Sequence, residues 1–220
     1  MTATPDLRHE YALAGQGFTR IAGLDEAGRG AWAGPVVAGA VILPLDRFDL
    51  AHALRGVNDS KQLTPAGREA LLPVIVETAL AVGLGHATQD EIDALGIVPA
   101  TRRAMQRALD ALTVAPDALL VDGRALLASA LPCLALVRGD QQSLSIAAAS
   151  IVAKVTRDRF MDSLDEVFPQ YGFRQHKGYG TPLHQGALRH FGPCAAHRLT
   201  FAPLRALPRA VAGAGEQSAP

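Results

Sequence analysis

The sequence predicts an α/β domain: a mixed β-sheet flanked by helices, with a helical C-terminal extension. Three observations carry that prediction. Apolar runs of strand length alternate with helical stretches through the middle of the chain. The opening strands form a meander, so the sheet is not wholly parallel. Three apolar runs lead to an acid, at the strand ends where open α/β sheets build their sites.

The elements follow in order. Residues 1–16 have no clear period and read as a loose lead-in. Residues 21–24 read as a short buried strand that stops at Asp25 and Glu26. Gly28-Arg29-Gly30 turns the chain into a second strand over 36–43. The connector 45–56 is irregular. Thr64 as cap and Pro65 at the first helical position start a helix towards Thr78, which Pro73 should kink or shorten. Residues 79–88 read as a third strand, weakened by Gly83 and Gly85.

Helices are expected over 89–95 and 98–112, the second from Ala104, Ala108, Leu109 and Leu112 at helical spacing. A strand over 118–122 ends in Asp122-Gly123. Another over 130–137, interrupted early by Pro132, leads to Gly139-Asp140. The longest helix covers 144–168, opened by Ser143 or Ser145 and stopped by Pro169. A loop over 171–180 precedes a helix over 181–191, with Thr181-Pro182 as its start and Gly192 as its stop. Residues 197–204 are short and irregular. From 206 to 220 Ala, Gly and Pro dominate without a period, which reads as a disordered tail. The folded domain is thus expected over 17–205.

Composition narrows the function classes. Of 220 residues 49% are hydrophobic and 5% aromatic, so the core should be aliphatic with closely packed helices. The formal net charge of +0 argues against attachment to nucleic acid or membrane by bulk charge, but leaves local patches open. Cys133 and Cys194 have no metal-ligand spacing and fit buried thiols in a reducing compartment. The start lacks the pattern of a secretory signal, and no apolar run approaches ~20 residues. A soluble cytoplasmic protein is expected, monomeric and with no visible protein partner.

The strand-end acids need a reason, because a buried carboxylate is costly unless paired or bound to a cation. If the strands ending at Asp25 and Asp122 are parallel neighbours, their carboxylates sit side by side, and Asp140 could complete the group. Successive residues on a regular strand face opposite ways, so Asp25 and Glu26 converge only if the strand ends or bends between them. Such a set suits Mg²⁺ or Mn²⁺, and two ions ~4 Å apart can drive an in-line phosphoryl displacement. Against this, Asp122-Gly123 and Gly139-Asp140 each make ordinary turns after strands.

Between Glu166 and Glu216 no acid occurs, while Arg174, Lys177, Arg189, Arg198, Arg205 and Arg209 do. With Tyr171, Phe173 and Tyr179 this stretch suits a nucleic-acid backbone and a stacked sugar or base. A solvated basic face is the plainer alternative. Lys154 and Asp158 could simply form a surface pair. The histidines lack zinc spacing, and Gly28-Arg29-Gly30 lacks the form of a nucleotide-binding loop.

Several motifs resemble one family. Gly23-Leu24-Asp25-Glu26-Ala27-Gly28-Arg29-Gly30, Asp59-Ser60-Lys61-Gln62-Leu63, Val121-Asp122-Gly123, the run from Ser145 through Lys154 to Asp158, His176-Lys177-Gly178-Tyr179-Gly180-Thr181 and His197-Arg198-Leu199-Thr200-Phe201 resemble those of ribonuclease HII, the type 2 ribonuclease H. They run in order from about residue 20 to 203. The resemblance implies a ribonuclease H-like fold. It implies an endonuclease that cuts RNA in RNA–DNA hybrids and nicks 5′ of a ribonucleotide embedded in duplex DNA, leaving 3′-hydroxyl and 5′-phosphate ends. It implies Asp25, Glu26, Asp122 and Asp140 as metal-binding carboxylates, with Asp158 as the rival for the fourth place. Gly28, Arg29 and Gly30 would read the ribose 2′-hydroxyl, Tyr179 would stack on the following deoxyribose, and Ser60 and Lys61 would contact phosphate. One departure stands out: the family often carries Lys or Arg two residues after the fourth aspartate, and here Gln141-Gln142 follows Asp140.

Two other classes stay open from the residues alone. One is a nucleic-acid-binding module whose acids are structural. The other is an integrase-like polynucleotidyl transferase, which would have no need of the glycine segment beside Asp25-Glu26.

Overall fold

The structure is a computed structural model that describes residues 4–123, 127 and 129–206. Helix α1 (Arg8–Ala14) precedes strands β1 (Ile21–Ala27) and β2 (Val36–Ile42). Then come α2 (Leu50–Ala53), α3 (Pro65–Thr78), β3 (Ala81–Ala87), α4 (Gln89–Leu95), α5 (Ile97–Asp110), β4 (Ala118–Asp122) and β5 (Cys133–Leu136). The long α6 (Leu144–Val167) is followed by α7 (Phe173–His176), α8 (Pro182–Phe191) and α9 (Ala202–Arg205). The five strands form one mixed sheet in the order β3-β2-β1-β4-β5. β1 pairs antiparallel with β2, as the meander predicts, and parallel with β4, the condition on which the grouping of Asp25 with Asp122 depends.

Small residues set how closely the helices approach. Gly83 and Gly85, expected to weaken β3, instead admit α5. A Cβ at Gly83 would lie 2.0 Å from the Ala108 carbonyl oxygen, and one at Gly85 2.2 Å from that of Ala104. Ala100, Ala104 and Ala108 line the buried side of α5 and match those gaps. On the opposite face α6 lies across β1 and β2. A Cβ at Gly23 would lie 2.3 Å from the Ser145 carbonyl carbon, and one at Gly39 2.6 Å from the Ala149 oxygen. The sheet is thus held between an alanine-rich helix on each side, with aliphatic cores on both faces.

Most caps follow the sequence reading. Thr64 caps α3 and Ser143, of the two candidates, caps α6. Thr88 and Glu91 close a reciprocal capping box at α4. α3 runs to Thr78 through Pro73, so the proline does not shorten it. The loose lead-in is a misreading in part, because 8–14 is helical. Its buried Glu10 accepts bonds from the Ser143 hydroxyl at 2.6 Å and the Ser145 hydroxyl at 2.7 Å. That anchor joins two distant parts of the chain and leaves no local period to read. Cys133 is exposed on edge strand β5, not buried. Apart from Ala206, the expected tail lies outside the described residues. Among the described residues no helix is long and apolar enough to cross a membrane.

Candidate active site

β1 supplies Asp25 and Glu26, β4 supplies Asp122, and a 3₁₀ turn after β5, Gly139–Gln141, supplies Asp140. The last paired positions of the two parallel strands are Leu24 and Val121. Asp25 and Asp122 are therefore the next residues of adjacent strands. The Gly139 N–H donates to Asp122 Oδ1 at 2.6 Å, which ties the turn carrying Asp140 to the end of β4.

One expectation is corrected here. β1 does not stop at Leu24. It continues to Ala27, and Asp25 and Glu26 stay paired with Gly39 and Ala38 of β2. β1 simply outlasts its pairing with β4, so its far edge opens beside the acids. The Glu26 N–H bends back to Asp25 Oδ1 at 2.7 Å. Both acids then line one pocket of about 540 Å³, together with Gly28, Arg29, Gly30, Ser60, Lys61, Asp122 and Tyr179.

Asp140 does not line that pocket but stands behind it, 3.4 Å from the Lys61 ammonium. The rival Asp158 does not line the pocket either, and is held by two cations that do: Lys154 at 2.5 Å and Arg68 at 3.4 Å. The Lys154–Asp158 pair exists, but it is largely buried rather than a surface pair.

The electrostatics are strained by like charge. Burial raises Asp25 well above the usual carboxylate range, and Glu26, Asp122 and Asp140 add to the shift. Burial also raises Glu26, against the pull of Arg29. Asp140 is pushed up to about 6 by burial and by Asp122. Burial works against the Lys61 ammonium, but Asp25, Asp140 and Asp59 outweigh it and raise its pKa. Two buried oxygens, Asp25 Oδ2 and Glu26 Oε2, have no hydrogen-bond partner. Unsatisfied hard oxygen donors among repelling carboxylates fit a divalent cation of the Mg²⁺ or Mn²⁺ type. Among the described residues no group of three or more His, Cys, Asp or Glu side chains is arranged to hold a metal ion as it stands. The acids form an open lining.

Sequence reasoning passed over Arg68 and read Lys154 as half of a surface pair; both also line the pocket. Arg68 was hidden on a helix read only for its caps. It donates to the Ser60 and Leu63 carbonyls at 2.8 and 2.7 Å, propping the Ser60–Gln62 turn. The glutamines after Asp140 serve the backbone and Asp59. Gln142 donates to the Val137 carbonyl at 2.7 Å, and Gln141 to Asp59 at 3.1 Å.

The rim beyond Glu26 rests on two buried arginines. Arg157 donates to the carbonyls of Pro35, Lys177 and Ala33, and Arg198 to those of Gly34 and Arg29. Gly28 has φ +95°, and a Cβ there would lie 1.9 Å from Arg157 Nε. The Arg157 guanidinium also lies 5.4 Å from the Tyr179 ring centroid. One side chain therefore touches both the glycine segment and the aromatic. The expected basic C-terminal face is thinner than predicted. Arg198 is buried, Lys177 pairs with Asp162, and Arg174 sits near Asp165 and Glu166.

Comparison with known proteins gives this geometry a family. The sequence profile of ribonuclease HII matches residues 22–203. The chain belongs to the ribonuclease HII family. It is similar to the ribonuclease HII of Chloroflexus aurantiacus, with 55% identity over 200 residues, covering 91% of this chain and 94% of that one. It is also similar in structure to ribonuclease H2 from Pyrococcus horikoshii, with a TM-score of 0.72 and 28% identity, covering 84% of this chain and 95% of the other. A third similarity is to the ribonuclease HII of Archaeoglobus fulgidus, solved as a complex with PCNA, with a TM-score of 0.69 and 26% identity over 83% of this chain and 95% of that one. Family membership makes the protein a ribonuclease H, a nuclease and hydrolase, and the fold ribonuclease H-like.

Proposed function

We propose that the protein hydrolyses the RNA strand of RNA–DNA hybrids and nicks 5′ of single ribonucleotides in duplex DNA, leaving 3′-hydroxyl and 5′-phosphate ends. The carrying observation is the pocket that joins Asp25, Glu26 and Asp122 to Gly28-Arg29-Gly30 and Tyr179. Asp25 and Asp122 would hold divalent ions, Mg²⁺ or Mn²⁺, with Glu26 and Asp140 completing the shell and orienting the attacking water. When bound, such ions supply an activated water and neutralise charge on the leaving oxygen.

The remaining roles belong to the rim. Gly28 to Gly30 offer main-chain groups to the 2′-hydroxyl, which separates RNA from DNA at one nucleotide. The exposed Lys61, beside the buried Ser60, meets phosphate. Tyr179, 37% exposed, presents its ring to the next deoxyribose. A pure binding module is disfavoured, because Asp25 and Glu26 are buried beside one another and beside Asp122, and like charges gain nothing by such grouping in a structural role.

A duplex carrying one ribonucleotide, incubated with Mg²⁺, Mn²⁺ or EDTA, tests the reading. A metal-dependent nick on the 5′ side of the ribonucleotide is expected. Binding without a product, or a nick that persists in EDTA, overturns it. Tyr179→Ala should lower cutting at the single ribonucleotide by about tenfold, the worth of one stacked group, with a smaller loss on a uniform hybrid.

A further inference from the structure

Behind the Tyr179 loop lie three buried histidines that the proposed chemistry does not use: His176, His184 and His197. They come from α7, from α8 and from the segment before α9. His184 Nδ1 lies 3.0 Å from the Tyr179 carbonyl oxygen. His184 Nε2 and His197 Nε2 lie 2.9 Å apart. The Cys194 backbone N–H donates to His197 Nδ1 at 3.0 Å. His176 stacks on His184 with centroids 4.4 Å apart, and its Nδ1 accepts the Gly178 N–H at 3.2 Å.

The two ends of this chain fix its direction. A carbonyl only accepts, so His184 Nδ1 must carry a proton to bond Tyr179. The nearest partner of His197 Nδ1 is the Cys194 amide at 3.0 Å, ahead of the Cys194 thiol at 3.2 Å and the Cys194 carbonyl oxygen at 3.3 Å; an amide only donates, so that bond takes a bare Nδ1. The rings then meet in one way: His197 Nε2–H donates to the bare His184 Nε2. Burial drives both pKa values down to about 4, so both rings are neutral at neutral pH. Their hydrogen-bonding nitrogens are satisfied by this arrangement. A closed, directional chain inside a core admits one arrangement of its members.

We propose that His184 and His197 are positioning residues: a neutral, one-way hydrogen-bond relay from the Cys194 amide that fixes the Tyr179 carbonyl, and with it the pose in which the ring meets the RNA–DNA junction. The neighbouring backbone makes this mechanical. Gly178 has φ +78°, and a Cβ at Gly180 would lie 2.2 Å from the Trp32 ring. Tyr179 is thus flanked by two tightly seated glycines, and its carbonyl is the handle between them.

The role assigned to Tyr179 rests on the proposed function, so the test has two independent readouts. The first is the tautomeric state of each imidazole in the intact protein at pH 7, from long-range ¹⁵N–¹H NMR. His184 protonated on Nδ1 and His197 on Nε2 supports the relay. Any other pair, or a cationic ring, overturns it whatever Tyr179 does.

The second is the ratio of cutting at one embedded ribonucleotide to cutting on a uniform hybrid. His184→Asn places an amide donor where Nδ1 was and keeps the bond to Tyr179. His184→Gln places its amide where Nε2 was and loses that bond. The ratio should stay near wild type in H184N and fall about fivefold in H184Q, the worth of one ordinary hydrogen bond. Equal losses, or none in either variant, overturn the positioning role. Tyr179→Ala serves as the control. If it leaves the ratio unchanged, the junction reading fails, and the NMR result still decides the relay.

Discussion

The acids at the end of β4 and within β1, and the histidines behind the Tyr179 loop, are both buried titratable clusters. They are buried in opposite senses. The acids repel one another, two of their oxygens lack partners, and burial and like charge hold Asp25 and Asp140 above the usual carboxylate range. The histidines are neutral and bonded to one another and to the backbone. The first cluster is built for something that arrives, the second for something that stays. Stability and activity should therefore respond to mutation with opposite signs in the two places.

The largest effect tests the acids. On the role proposed for Asp25, Asp25→Asn should reduce cleavage by about 10³-fold or more, since it would remove charge that holds the ions. In EDTA the same variant should be more stable than wild type, by about 1–3 kcal/mol, because an unpaired buried carboxylate is gone. Hybrid cleavage and a chelated thermal melt check both halves. A variant that cuts normally breaks the comparison at its root.

The histidines should behave in reverse. His197→Ala should cost about 1–3 kcal/mol in urea unfolding, by orphaning His184 Nε2 and the Cys194 amide. The pH dependence follows the same division. His184 and His197 fall from 6.5 to about 4 in the folded state. The unfolded chain therefore takes up protons first, and their contribution to stability is intact above about 6.5 and lost as pH falls towards 4. Asp140, raised from 3.8 to about 6, runs the other way: in the absence of metal its contribution is lost as pH rises through that window. Metal should offset that loss. The rise in melting temperature on adding Mn²⁺ should shrink as pH is lowered through about 6. A rise independent of pH would separate Asp140 from the ion site.

The smallest effect lies on the rim between the clusters. Gly30→Ala meets open space and should change stability by no more than about 0.5 kcal/mol. Gly28→Ala, with positive φ and Arg157 against it, should cost about 1–3 kcal/mol. Equal melts for the two variants would dissociate Arg157 from the glycine segment.

The acids could be picked out in the sequence because each follows an apolar run, a local signal, even though β1 runs on past its own two. An apolar run followed by an acid needs no knowledge of the rest of the chain. The extent of β1 was not legible, because its last three residues are held by β2 alone and lack the apolar pattern of the first four. α1 was invisible for a related reason: Glu10 is anchored on Ser143 and Ser145, far along the chain. Gly83 and Gly85 were read as weak points because their gain lies in α5. The histidines were judged by metal spacing, yet they bond to one another from separate elements. Two of them, His176 and His197, stood inside motifs that resemble the family, but nothing in the sequence joined them to His184.

The parallel pairing of Leu24 with Val121 has a further consequence. The two carboxylates just beyond it come from distant parts of the chain, so they meet only once β4 has been made. A nascent chain holding only the first half of this protein therefore carries Asp25 and Glu26 without Asp122 or Asp140.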